Sequence, residues 1–141
     1  MICVGPSRID RQGLFATQEI KKGTRIIQYM GLKISKAEGA RRAAAGNAYI
    51  FELNERYDID GKSLSNIARY INHSCDPNCD AVVDDMRIWI ETIRDIEPGE
   101  ELAYDYAYVL EERHSPAAKR RYPCTCGAAK CRGTILAKKR G

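Results

Sequence analysis

The stretch Arg69-Tyr70-Ile71-Asn72-His73-Ser74-Cys75-Asp76-Pro77-Asn78-Cys79 decides how this chain is read. It sets an amide, an imidazole and two thiols close together around a proline turn. Taken alone, Asn72-His73 reads as a polar turn. Two other stretches matter beside it: Gly13-Leu14-Phe15-Ala16 near the start, and Gly99-Glu100-Glu101-Leu102-Ala103-Tyr104-Asp105-Tyr106 later. Tyrosines two apart share one face of a strand and ordinarily pack into a core. His73 beside Cys75 suggests a Cys–His nucleophile pair. Residues two apart on a tight polar segment are not expected to point at each other, so that pairing is set aside.

Working outward, the cysteines come next. The chain has six: Cys3, Cys75, Cys79, Cys124, Cys126 and Cys131. Three crowd into Cys124-Thr125-Cys126-Gly127-Ala128-Ala129-Lys130-Cys131, and two flank Asp76-Pro77-Asn78. A secreted disulfide scaffold spreads its cysteines more evenly and carries a signal peptide. Clustering favours a metal, and a closed structural zinc site takes four ligands. The C-x-C-x4-C triplet lacks one, so the fourth comes from a distance, with Cys75 and Cys79 as candidates.

The 141 residues carry 23 Lys+Arg against 19 Asp+Glu, a net charge of +4, and 44% are apolar. That suits one domain with a modest core. No apolar run approaches the ~20 residues of a membrane span, and Met1 to Pro6 lacks the pattern of a signal peptide. A soluble intracellular domain is expected, cytoplasmic in a bacterium and nuclear in a eukaryote or as an exported effector. Charge is segregated: residues 1–75 sum to +5, residues 76–112 to −10, and residues 113–141 to +9. The acidic block suggests a surface that attracts a cationic partner. The plainer alternative is a solvated acidic face neutralised by the protein's own basic tail. The basic tail is the one place where nucleic acid is expected to bind, if anywhere.

Short strands dominate. Leu14–Ala16, Thr24–Ile34, Tyr49–Leu53 and Met86–Ile93 are rich in β-branched and aromatic residues. The last alternates, with Ile88, Ile90 and Thr92 on one face and Arg87, Trp89 and Glu91 on the other. Gly23, Asp60-Gly61 and Pro98-Gly99 read as turns. A helix is expected from about Lys36 to Ala45, opened by the Ser35/Glu38 capping pair and closed by Gly46. A short helical turn is expected over Ser65–Tyr70. The chain divides into a β-rich unit, residues 1–112, and a cysteine-bearing segment with a frayed basic end, residues 113–141.

In order and spacing these segments resemble the SET-domain protein-lysine methyltransferases with a zinc-binding post-SET tail, of the compact type without a pre-SET region. The resemblance runs through nearly the whole chain. It is carried by Ser7 to Ala16, Gly23 to Gly31, Tyr49-Ile50-Phe51, Ile59-Asp60, Asn72-His73-Ser74-Cys75, Glu101 to Tyr106 and Cys124 to Cys131. It implies a mostly β fold with short helices, small curved sheets around a pseudoknot, and a zinc-stapled C-terminal segment. It also implies S-adenosylmethionine as methyl donor and a lysine of a basic, histone-like protein as acceptor.

By the same resemblance, the main chain around Gln12, Gly13 and Leu14 cradles the donor, with Tyr49 beside it. Asn72 holds the donor's amino-acid end, the His73 backbone its adenine, and Thr125 and Leu136 lie nearby. Tyr106 matches the catalytic tyrosine. Tyr104 aligns with a position that alternates Phe and Tyr, and a hydroxyl there favours mono- over dimethylation. The zinc ligands are Cys75, Cys124, Cys126 and Cys131, leaving Cys79 a buried thiol and Cys3 a spare. One departure is Arg11, where many members carry glycine two residues before Gly13. Two alternatives remain: a catalytically weak SET-like module that binds basic peptides or nucleic acid, and a zinc-stapled nucleic-acid binder built on residues 113–141. A homodimer is compatible with a bare strand edge.

Overall fold

The computed structural model describes residues 1–110 and 113–138, which form short strands in four small sheets, with few helical elements. Strand β1 (Ile2–Pro6) pairs antiparallel with β2 (Gln12–Ala16). A three-stranded sheet has the order β3 (Arg25–Tyr29), β9 (Arg87–Thr92), β8 (Cys79–Asp84), and another the order β4 (Leu32–Ser35), β6 (Tyr57–Asp60), β5 (Ile50–Glu52). The last sheet is a parallel pair, β7 (Asn72–His73) with β10 (Ala103–Tyr104). This is the mostly β architecture of small sheets that the sequence predicts.

Strand β9 follows its alternation: Ile88, Ile90 and Thr92 are buried, while Arg25 stacks over the Trp89 ring on the other face at 5.0 Å. The strand expected over Thr24–Ile34 is in fact two, β3 and β4, lying in different sheets. The break falls at Gly31, where a Cβ would meet the Asp60 carbonyl oxygen at 2.1 Å. Only glycine lets the two backbones approach so closely. Helix α1 (Lys36–Ala44) starts where expected, with the Ser35 hydroxyl accepting from the Glu38 amide at 3.1 Å. The Glu38 carboxylate does not close the capping box; it pairs with Arg41 and Arg42 instead. The expected turn before Tyr70 is a 3₁₀ turn over Ile67–Tyr70.

The core gathers Leu14, Ile71, Ile88, Ile90, Ile96 and Leu102, all fully buried. At its centre the chain threads two distant segments together. The Ser74 amide donates to the Tyr104 carbonyl at 3.1 Å. The Asn78 side chain donates to the Glu101 carbonyl and accepts from the Ala103 amide, both at 2.9 Å. Those bonds hold β7 against β10 although about thirty residues separate them in sequence.

The C-terminal segment is packed as far as Ala137; most of the basic end expected to fray, residues 139–141, lies outside the described residues. Its helix α2 (Pro116–Arg121) was not expected, although Ser115 caps it and Pro116 occupies its first turn. Tyr108 exchanges backbone bonds with Ile135 and Ala137, and Leu136 is buried. Buried His114 accepts from the Leu110 amide at 3.0 Å and donates from Nδ1 to the Ala137 carbonyl at 2.9 Å. Among the described residues no helix is long and apolar enough to cross a membrane.

Candidate active site and metal centre

The parallel pair β7–β10 sets Tyr104 opposite His73 and Ala103 opposite Asn72. Beyond β10 the chain turns back, and the Tyr106 hydroxyl donates to the Ile71 carbonyl in a short bond. A row of rings runs through this region: Tyr29 to Phe51 at 4.9 Å, Phe51 to Tyr104 at 6.0 Å, Tyr104 to Tyr106 at 4.9 Å, and Tyr106 to Tyr108 at 6.0 Å. Tyr29 donates to the Tyr49 carbonyl at 2.9 Å, and Tyr108 to the Ala48 carbonyl at 3.2 Å. Burial pushes the phenols of Tyr29, Tyr104 and Tyr106 well above their ordinary value. All three therefore stay neutral through the physiological range. The result is an aromatic, uncharged lining against β7.

Asn72 anchors a second cluster. Its Nδ2 lies within 3.1 Å of four acceptors: Ser7 Oγ, Glu101 Oε2 and the carbonyls of Asp10 and Gln12. An amide nitrogen has two hydrogens, so it cannot serve four acceptors at once. The surplus of oxygen suits a cationic amine. Gly13 leaves room for this cluster, because a Cβ there would lie 2.4 Å from Glu101 Oε2 and push the carboxylate out of place. Leu14, by contrast, is committed elsewhere. Its side chain fills the core and its carbonyl accepts from the Leu102 amide. Tyr49 stacks on the Arg69 guanidinium at 4.3 Å.

Arg11, the departure noted above, has φ +39°, in the left-handed region that favours glycine. It closes a turn in which the Ser7 amide donates to its carbonyl at 3.0 Å. An arginine thus reproduces the backbone shape a glycine would take, at a cost of about 1–2 kcal/mol. Arg11→Gly relieves that strain but loses ~0.5–1 kcal/mol to chain entropy. The expected result is an unchanged or slightly raised melting temperature. Arg11→Val, β-branched at positive φ, is expected to lower it by several degrees. An Arg11→Val protein as stable as the parent in calorimetry would contradict this.

Cys75, Cys124, Cys126 and Cys131 come together, their sulfurs all within 4.8 Å of one another. The Cys75–Cys124 sulfur separation of 3.8 Å matches the edge of a tetrahedron built on zinc–sulfur bonds of about 2.3 Å. Backbone N–H groups point at the sulfurs: Arg132 at Cys75, 3.3 Å; Cys126 at Cys124, 3.4 Å; Gly133 at Cys131, 3.4 Å. Burial pushes the Cys75 and Cys124 thiols up; Cys126 is drawn down despite its burial, by N–H donation and its thiol neighbours. A metal cation is what allows all four to ionise together. The donor set fits one tetrahedral zinc ion. Cys79 is excluded: it is buried apart from the group, with its thiol pushed up to about 12 by burial. Cys3 is exposed and stands apart.

The tail reaches the turn before β2 directly, since the Thr125 hydroxyl donates to the Ile9 carbonyl at 2.7 Å. Leu136 bridges to Tyr108. Several residues that sequence reading passed over hold this site: Asn78, Ser7, Glu101, Arg69 and the Asp105–Arg132 pair, bidentate at 2.7 and 3.0 Å. Burial opposes ionisation of Asp105, yet the Arg132 guanidinium holds its carboxyl below the usual carboxylate range. Arg69, Asn78, Glu101 and Asp105 stand inside the quoted stretches, but nothing in their spacing names their partners.

Two expectations need correction. His73 and Cys75 do face each other, with Nε2 3.4 Å from Sγ. The chain leaves β7 after His73 and bends at Cys75 and Asp76, which brings the thiol back to the ring. They do not form a nucleophile pair, because Cys75 belongs to the four-cysteine group. The basic tail is not alone in neutralising the acidic block, since bases of the β-rich unit share the task. Asp76 pairs with Lys130, Asp84 and Glu91 with Arg25, Asp95 with Lys21, Glu100 with Arg94, and Asp105 with Arg132. Glu111 and Glu112 lie outside the described residues.

A family description, the SET domain, matches residues 11–107. This chain belongs to the SET-domain family. It is 40% identical over 141 residues to the histone-lysine N-methyltransferase, H3 lysine-4 specific, of Schizosaccharomyces pombe, covering 93% of this chain and 15% of that protein. It is 37% identical over 139 residues to the protein of the same description in Saccharomyces cerevisiae, covering 92% and 12%. Against the Arabidopsis thaliana histone-lysine N-methyltransferase ASHH1 it is 40% identical over 139 residues, covering 92% and 27%. The chain therefore spans only a small part of the relatives it matches.

Proposed function

We propose that this chain is an S-adenosylmethionine-dependent protein-lysine N-methyltransferase acting on histone tails, with H3 lysine 4 the first target to test. The observation that carries the reading is the Tyr106 hydroxyl bonded to the Ile71 carbonyl, one residue before Asn72, beside a lining of neutral aromatic rings. The histone and the lysine come from the relatives, which are H3 lysine-4 specific histone-lysine N-methyltransferases. A histone substrate puts the working enzyme in a nucleus.

When bound, S-adenosylmethionine supplies an electrophilic methyl group on a sulfonium. On this reading Asn72, Glu101 and the carbonyls of Asp10 and Gln12 receive its amino-acid end, and the His73 backbone its adenine. Gln12, Gly13, Leu14, Tyr49, Thr125 and Leu136 complete the surround. Tyr106 remains protonated and spends its hydrogen on Ile71, so it presents oxygen lone pairs in a fixed direction towards polarised C–H groups. Alignment does most of the work in such an in-line transfer. The substrate amine must be neutral, against an ordinary lysine pKa of ~10.4. Tyr29, Phe51, Tyr104 and Tyr106 disfavour its charged form by excluding water. His73 is no general base, since its Nδ1 lone pair is taken by the Tyr106 amide at 3.0 Å. The proton leaves through water.

On this reading zinc in the four-cysteine group staples residues 113–138 over the catalytic unit. The Tyr104 hydroxyl crowds the amine and limits the product to mono- and dimethyl-lysine. Tyr104→Phe is expected to shift the product by at least one methyl group, read by mass spectrometry of the modified peptide. A parent protein that makes mainly trimethyl-lysine would defeat this part of the proposal. The overall activity is tested by transfer of labelled methyl from S-adenosylmethionine to nucleosomes. Label on a histone lysine supports it, and donor binding without transfer to any histone or lysate protein refutes it.

A further inference from the structure

We propose that His73 is a positioning residue that ties the metal centre to the active-site tyrosine: its Nε2–H donates to the Cys75 sulfur while its Nδ1 accepts the Tyr106 amide. This rests on the reading of the four cysteines as a zinc site. The distances are 3.4 Å to Cys75 Sγ and 3.0 Å from the Tyr106 nitrogen. A backbone N–H can only donate, so Nδ1 must carry the lone pair and the ring proton must sit on Nε2. Asp105 Oδ1, 3.6 Å from Nδ1, faces that lone pair and makes no bond to it. His73 is 4% exposed, and its ring stands edge-on to Tyr106 at 5.3 Å. The ring has no freedom to serve elsewhere.

A second arm runs parallel to the first. The Arg132 amide donates to the same Cys75 sulfur at 3.3 Å, and the Arg132 guanidinium holds Asp105. Asp105 Oδ1 in turn accepts from the Ala107 amide at 2.9 Å. Tyr106 is thus held at its own amide and on both flanks by groups that lead back to one sulfur. Ala107 has φ +48°, a strained conformation for a residue with a side chain. Such strain persists only where surrounding contacts impose it, and it collects at functional sites. Donors to a metal-bound thiolate orient the ligand and tune the metal in the same way. Loading the metal therefore fixes the backbone of the residue that meets the reacting methyl.

The experiment uses the full chain labelled with ¹⁵N in histidine and in tyrosine. Zinc content is measured first by native mass spectrometry, and a chain that takes up no zinc overturns this inference along with the cluster reading. In the zinc-loaded protein, long-range ¹H–¹⁵N spectra should show the two histidines as opposite tautomers. His73 should be protonated on Nε2, while His114, whose Nδ1 faces the Ala137 carbonyl, should be protonated on Nδ1. Removing zinc should shift the Tyr106 amide resonance. His73→Phe, which keeps a ring against Tyr106, should weaken zinc about 10–100-fold in chelator competition. With zinc bound, an Nδ1-protonated His73, an unmoved Tyr106 amide, or a folded His73→Phe with zinc affinity within twofold of the parent overturns the inference alone. If His73→Phe does not fold, the tautomer and the amide shift in the parent decide.

Discussion

Tyr106→Phe is expected to slow methyl transfer by about 10²–10³-fold while leaving donor binding within a few fold. The substitution removes one oxygen and keeps the ring. Packing against Tyr104, Tyr108 and His73 survives, so the aromatic lining keeps its shape. What disappears is the lone pair aimed at the reacting centre and the bond that fixes it to Ile71. The Ile71 carbonyl loses its hydroxyl partner, a cost of about 1–3 kcal/mol if it stays dry. Stability should therefore fall modestly and catalysis steeply. Calorimetry with S-adenosylmethionine and a steady-state assay separate the two effects. A folded variant that turns over at the parent rate would show that the hydroxyl is only structural.

The second large effect concerns the metal. Cys131→Ser, or chelation of the parent, is expected to expose residues 113–138 to protease and to weaken donor binding by more than tenfold. Activity should fall with it. Cys75 and Cys124 lie 49 residues apart in sequence, so the metal closes a long loop that few other bonds hold shut. The segment then carries Thr125 to the Ile9 carbonyl and Leu136 to Tyr108. A structural zinc contributes about 10–16 kcal/mol of binding free energy to such folding. The tail has no comparable core of its own, with His114, Ala118, Thr134 and Leu136 its buried members among the described residues. Full activity in a metal-stripped protein would refute the linkage.

How much of this could be read from residues alone depends on how local each signal is. The alternation of Arg87 to Thr92 and the Ser35 cap of α1 are contained within a few residues, and both read correctly. Strands β7 and β10 have two residues each and no period to detect; they exist because Asn78 and Ser74 bond across to the later segment. The single strand expected over Thr24–Ile34 failed at Gly31, whose need for glycine comes from Asp60 in another strand. Helix α2 was legible in Ser115-Pro116 and was overlooked amid the surrounding bases. The three-cysteine string announced a metal, but the fourth ligand had to be chosen between Cys75 and Cys79 by resemblance, and burial of Cys79 away from the group settles the geometry. The charge block could be read only coarsely because formal charge says nothing of partners: Arg25 alone meets both Asp84 and Glu91.

The most direct measurement is mass spectrometry of recombinant histone H3 incubated with the zinc-loaded chain and S-adenosylmethionine, with Tyr106→Phe in parallel. The expected spectrum has one methyl group, and more slowly a second, on a lysine side chain, and almost none with the variant. Donor bound by calorimetry with no methyl on any lysine, or equal methylation by parent and variant, would contradict a transfer site built around Tyr106 and Ile71.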